Sequence, residues 1–154
     1  MRRAGIPDLV TRALDPVARS TTTSDQVVAS IRAAILARPA RENPYTAVTG
    51  ALSEAMPLDA GRRRRLLLSR QAIARSPALR GRASTLLDAW RETIAEAAVV
   101  RGAAPPDARV LATIVVAVLD DVADRWALAG DQTELAGDVA EAFAALARTQ
   151  RRST

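Results

Sequence analysis

Asp120-Asp121-Val122-Ala123-Asp124 is the stretch of this chain whose residue types and spacing best suit metal chemistry. Carboxylates at i, i+1 and i+4 of a helix can converge on a hard cation such as magnesium, which in turn can hold a diphosphate. The plainer reading is a polar, salt-bridged end to an apolar helix, with Arg125 as the adjacent counter-ion. A second charged feature is Arg62-Arg63-Arg64-Arg65, followed by Leu66-Leu67-Leu68. Clustered arginine can grip phosphate. Consecutive residues spread around a whole helical turn, however, and no aromatic is interleaved to stack on bases, so a solvated face is again the plainer reading. Arg70 lies amid Leu66, Leu67 and Ile73 and is expected to point partly inward. There it can meet a ligand carboxylate or phosphate, or pair structurally with Asp88 or Glu92. The two tryptophans, Trp90 and Trp126, fall on apolar helix faces. They suit core packing or the wall of a small-molecule pocket, for which Thr85, Thr93 and Thr113 offer hydroxyl anchors.

What is absent narrows the chemistry further. All 22 basic residues are arginine, and the chain has no Cys, His or Lys. Disulfides, thiolate- or imidazole-ligated metals, a Ser-His-Asp triad, Schiff bases and a P-loop lysine are therefore excluded. Carboxylates, hydroxyls and one phenol, Tyr45, remain. That set favours a binding protein over an enzyme, with no cofactor and no metal expected. The net charge of +5 is uneven: residues 1–82 hold 15 Arg and 6 acids, whereas residues 83–154 hold 7 Arg and 11 acids. The N-terminus lacks an apolar run suited to a signal peptide, and Val110–Leu119, ten residues long, is too short to span a bilayer. With no Cys, a cytoplasmic location is the expectation.

These residues need helices to position them. At 154 residues and 49% apolar the chain suits one domain with a real core. Asn43-Pro44 and Ser76-Pro77 each pair an N-cap residue with proline at the first helical position. Pro105-Pro106 opens another helix, Asp131 and Glu134 have capping-box spacing, and Gly102 and Gly130 sit where helices end. Apolar residues recur at intervals of three or four between these marks, as in Leu79, Ala83, Leu86, Trp90, Ile94 and Ala97. The spacing predicts helices over 24–38, 44–56, 58–75, 77–101, 107–129 and 132–148, with a weaker segment at 7–18 interrupted by Pro16. Ser20–Ser24 reads as a linker or cap. The expected fold is all-α, a five- to six-helix bundle over residues 24–149, preceded by a poorly defined segment 1–23 and followed by a tail 150–154. The 107–129 helix is apolar over too wide an arc for one-sided packing, so one of its stripes should meet a partner subunit. Small residues Ala136, Gly137, Ala140 and Ala144 on the last helix permit close helix approach.

From about residue 25 to 148 the chain resembles the C-terminal ligand-binding and dimerisation domain of TetR-family transcriptional regulators. The likeness is greatest to the subgroup of the mycofactocin-system regulator. Ile31-Arg32-Ala33-Ala34-Ile35-Leu36-Ala37-Arg38-Pro39 resembles the segment linking the two domains of such regulators. Ser69-Arg70-Gln71-Ala72-Ile73-Ala74-Arg75-Ser76-Pro77-Ala78-Leu79-Arg80 is similar to the region before the long central helix, with Trp90 following at the expected distance. Asp124-Arg125-Trp126-Ala127-Leu128-Ala129-Gly130 resembles the end of the penultimate helix. The Asp-Asp-x-x-Asp run, by contrast, is similar to that of prenyl-diphosphate synthases over five residues only.

The resemblance implies a TetR C-terminal-like homodimer that senses a small apolar or acyl effector, of the acyl-CoA-like kind, and touches no membrane. Its pocket is expected from Leu52, Met56, Leu67, Leu86, Trp90, Val115 and Leu119, with Arg70 and Thr93 as polar contacts. The dimer interface is expected from Leu111, Val118, Leu135, Val139, Phe143 and Leu146. Regulators of this family place a helix-turn-helix ahead of this domain. Segment 1–23 shows no such pattern, so either the gene start is misplaced or the DNA-binding half has been lost with this segment as its remnant, and DNA contact is expected only through a helix-turn-helix domain missing from this chain. Two alternatives stay open: a stand-alone helical dimerisation protein, and a small magnesium-dependent enzyme using Asp120, Asp121 and Asp124.

Overall fold

The structure is a computed structural model that describes residues 21–55, 60–128 and 135–152. Among these residues it forms six helices and no strand: α1 (Thr21–Leu36), α2 (Pro44–Glu54), α3 (Ala60–Arg75), α4 (Pro77–Val100), α5 (Pro105–Leu128) and α6 (Leu135–Arg152). Caps explain both ends of α4 and the start of α2. The Asn43 side chain accepts from Thr46 N at 2.9 Å with Pro44 at the first helical position. The Ser76 hydroxyl does the same for Leu79 N, with Pro77 behind it. Gly102 closes α4 at φ +97°, a left-handed conformation that glycine adopts without a Cβ penalty. Gly102 N donates to Val99 O at 2.8 Å and Ala103 N to Ala98 O at 3.0 Å, the paired bonds of a Schellman motif.

The two largest departures from the expected boundaries are at the start of α1 and the end of α6. Thr21–Ser24 continue α1 instead of forming a linker, and α6 runs to Arg152, past the expected start of a tail. Once Val27, Ile31 and Ile35 bury one face of α1, each further turn adds backbone hydrogen bonds. A threonine then costs only a few tenths of a kcal/mol, roughly, so the helix extends backwards over it. The segment 7–18, the Asp131–Glu134 capping box and Gly130 lie outside the described residues.

The long helices α4 and α5 form the central pair. Trp90, Ile94, Ala97 and Ala98 of α4 meet Ala112, Val115, Val116, Leu119 and Val122 of α5 in one continuous core. The alanines let the two backbones approach closely. α1 lays Val27, Ile31 and Ile35 on α4, and α2 adds Val48, Ala51 and Leu52. α3 seals the α4–α5 pair with Leu66, and α6 packs Val139 and Phe143 against α5 and α2. The phenol of Tyr45 donates to Phe143 O at 2.9 Å, fixing α2 to α6.

Two arginines hold the α1–α2 junction. Arg101, the C-cap of α4, donates to Arg38 O at 3.0 Å, Pro39 O at 2.6 Å, Glu42 O at 3.2 Å and Ile35 O at 3.4 Å. Ile35 O and Pro39 O also accept from Arg38 N and Glu42 N, at 3.3 and 3.0 Å, so the guanidinium adds to the turns that lead from α1 to α2. Arg38 binds Glu42 in a fork, Nε to Oε2 at 2.9 Å and Nη2 to Oε1 at 2.8 Å, and also pairs with Glu54. Its guanidinium lies where a Cβ on Gly50 would come within 2.9 Å of Nη2, so a glycine leaves room for the fork. The hydrogen bonds from Arg38 hold the Glu42 carboxyl below the usual carboxylate range. Because its folded-state pKa is depressed, Glu42 stabilises the fold above the unfolded value of about 4.3 and ceases to do so as pH falls through the folded value. Glu42→Gln is therefore expected to lower stability at pH 7 while making the acid limb of a pH–denaturation profile shallower. An acid limb unchanged by the substitution contradicts this role.

Candidate functional site

Most of the residues expected to line a pocket lie in or against the core of the bundle. Leu52, Trp90, Val115 and Leu119 belong to one buried cluster, with Leu67 and Leu86 half-buried against it. Thr93, one turn beyond Trp90 on α4, is also buried. Met56 lies outside the described residues. Trp90 is the informative member. It is 2% exposed, yet its indole Nε1 has no hydrogen-bond partner among the described residues. A buried donor left unpaired costs about 1–3 kcal/mol, and such groups in native proteins call for an explanation. The other hydroxyls named from sequence are spent locally: Thr85 Oγ1 donates to Gly81 O at 3.0 Å and Thr113 Oγ1 to Arg109 O at 2.9 Å, both on exposed helix surface.

Arg70 forms an ion pair, but not with Asp88 or Glu92. It reaches across to α5, where Nη2 donates to Asp120 Oδ1 and Nε lies 2.9 Å from Asp124 Oδ1. Asp88 instead pairs with Arg91 on its own helix. The correction follows from packing, because α3 faces α5 along the flank that carries Arg70. Asp121 lies about 100° around the helix from Asp120 and pairs with Arg125 at 2.9 Å, one turn on. The three aspartates thus serve as arginine counter-ions on two faces. Among the described residues no cluster of three or more carboxylates is disposed to hold a metal.

Asp124 has its carboxyl pushed above the usual range by burial, with Asp120 and Asp121 acting in the same direction and Arg70 opposing them. A raised folded-state pKa means that its contribution to stability is fully present below the unfolded value of about 3.9 and is lost as pH rises through the folded one. Replacing Asp120, Asp121 and Asp124 together by Asn is expected to weaken the attachment of α3 while creating no magnesium dependence of the melting temperature. A magnesium-dependent stabilisation of the parent chain that the triple variant lacks would overturn this assignment.

Sequence reasoning missed Arg63. It is 8% exposed, and its guanidinium carbon sits 4.5 Å from the centre of the Trp126 ring, a cation–π stack. The signal was the spacing: Arg63, Leu66 and Arg70, at i, i+3 and i+7, share the inward stripe of α3.

The expected dimer residues divide. Leu111 and Val118 are half-buried and pack on the protomer's own cluster, and Leu146 is half-buried. Val139 and Phe143 are enclosed in that cluster, 1% and 4% exposed. The side chain of Leu135 lies outside the described residues. The outward stripe of α5 instead carries exposed Val110 and Ala117 and half-buried Ile114 in its first half, then Asp121, and ends on Leu128, with Val110 58% and Leu128 76% exposed. Beside it, α6 turns Gly137, Ala140 and Ala144 to solvent. Among the described residues no helix is long and apolar enough to cross a membrane.

The family model of the MftR C-terminal domain matches residues 42–151, that is α2 to α6 and more than half of the chain, and the chain belongs to this TetR C-terminal family. The family is one of regulatory ligand-binding and dimerisation domains. The search for similar curated proteins gave no match.

Proposed function

We propose that this chain is a cytoplasmic effector sensor that works as a homodimer, by binding and not by catalysis. The effector is a small apolar or acyl molecule. Its chain displaces or extends the apolar packing around Leu52, Leu67, Leu86, Val115 and Leu119, and a carbonyl oxygen accepts the Trp90 N–H, with Thr93 as a further polar contact. The observation that supports the reading is the Trp90 N–H, buried on α4 with no acceptor among the described residues, because the carbonyl of a bound molecule would satisfy it. Binding selects one arrangement of α3, α4 and α5 over another in proportion to its preference for that arrangement.

The two-fold contact is the outward stripe of α5 set against α6 and its symmetry mate. Leu111, Val118 and Leu146 flank this contact, and Val139 and Phe143 stiffen it from within the protomer. The exposed apolar side chains Val110 and Leu128, with small residues on α6, suit helix pairing in an isologous interface. The test is Ala140→Glu with Ala144→Glu, followed by sedimentation velocity at micromolar concentration. Halving of the sedimenting mass with unchanged helical circular dichroism is expected, whereas an unchanged mass in the double variant overturns this placement of the interface. Phe143→Arg is unsuited to this purpose, because it buries a charge in the protomer's own core.

A further inference from the structure

We propose that the outer face of α3, continued over the start of α4, grips the phosphate backbone of duplex DNA without reading its sequence. Residues 60–82 carry eight arginines and no acidic residue. Arg63 and Arg70 turn inward to Trp126 and to the α5 aspartates. Arg64, Arg65, Arg75, Arg80 and Arg82 are exposed. Arg64, Leu68, Gln71 and Arg75 share one outward stripe, about 16 Å long at a rise of roughly 1.5 Å per residue. Arg80 Nη1 donates to Ala74 O at 3.2 Å, which folds it back over the end of α3 and joins the α4 arginines to the stripe.

The density of arginine without a counter-charge sets this face apart. Elsewhere Arg32, Arg91 and Arg125 each meet a carboxylate, on Glu96, Asp88 and Asp121. Among the described residues Arg64, Arg65, Arg75 and Arg82 have no ion-pair partner. Neighbouring like charges raise one another's energy, and a polyanion relieves them while releasing its own condensed counter-ions. Arginine's planar fork suits phosphate oxygens. A duplex fits better than the other polyanions. The segment has no aromatic to stack on unpaired bases. Leu68 is the single large apolar side chain exposed on the stripe, too little to enter a lipid interface. With Gln71 as its only uncharged hydrogen-bonding side chain, the stripe is equipped to position a backbone and not to discriminate bases.

This proposal is independent of the effector reading. It is tested on the full chain with two fluorescent duplexes of unrelated sequence, about 20 base pairs each, titrated by anisotropy over a range of salt upward from about 50 mM. Similar affinity for both duplexes is expected, with a steep loss as salt rises. R64E/R75E is expected to weaken binding at least about tenfold at low salt and to make the log–log salt slope shallower by roughly 2, since each lost phosphate contact removes about 0.9. R41E/R109E, which lowers the net charge equally at exposed positions on other faces, should change affinity less than about threefold. Undiminished binding by R64E/R75E, equal losses in both variants, strong preference for one duplex, or tighter binding to phosphatidylserine vesicles than to duplex at matched salt would each overturn the proposal. Circular dichroism melting of both variants checks that the fold is kept.

Discussion

Trp90→Phe is expected to leave the bundle about as stable as the parent chain while weakening acyl-effector binding at least about tenfold. The two effects have separate origins. Phenylalanine keeps an aromatic ring in the buried site on α4 but forfeits part of the indole's packing, a loss of about 1 kcal/mol on the scale of conservative core truncations. It also removes a buried donor that lacks a partner among the described residues, a gain of similar size. For the effector there is no such offset. The N–H that would donate to its carbonyl is gone, and about 1.4 kcal/mol is a factor of ten in affinity. Denaturant melting and a fluorescence titration with decanoyl-CoA measure the two effects on the same protein. Trp90→Ala cannot separate them, because the cavity alone costs about 3–5 kcal/mol. Equal affinity of the Phe variant and the parent for the probe would remove the indole N–H from the site.

The second large effect is structural. Arg101→Met is expected to destabilise the protein by about 3 kcal/mol, and to lower the melting temperature by roughly 10 °C. Methionine retains an apolar stem of similar length but withdraws a guanidinium that now donates to Ile35 O, Arg38 O, Pro39 O and Glu42 O. Those carbonyls close α1 and carry the chain into α2, so amide exchange should accelerate first over residues 37–43. Arg101→Lys should recover only part of the loss, because a compact ammonium does not reproduce the fork that spans several acceptors. A melting temperature within about 2 °C of the parent for Arg101→Met would show that the junction is held by apolar packing alone.

Local chemistry was legible in the chain, whereas the choice of neighbour was not. Asn43-Pro44, Ser76-Pro77 and Gly102 announced their caps because capping depends on residues within one turn. The recurrence of Trp90, Ile94 and Ala97 announced the buried face of α4 for the same reason. Arg70 was legible as an inward arginine with an acidic partner. Choosing Asp120 and Asp124 over Asp88 required knowing that α3 lies along α5, a contact 50 residues away in sequence. Val139 and Phe143 had the spacing of an apolar stripe, but periodicity does not say whether a stripe meets its own bundle or a second copy. Arg63 was hidden inside a run of four arginines, and only its register with Leu66 and Arg70 separates it from the exposed Arg64 and Arg65.

Native mass spectrometry of the full chain incubated with decanoyl-CoA, and separately with unacylated CoA, tests a ligand-sensing homodimer in one measurement. The expected spectrum shows twice the 16.3 kDa chain mass carrying up to two decanoyl-CoA molecules, and no comparable adduct with unacylated CoA. A 16.3 kDa monomer, or a dimer that takes up acylated and unacylated CoA equally, would contradict it.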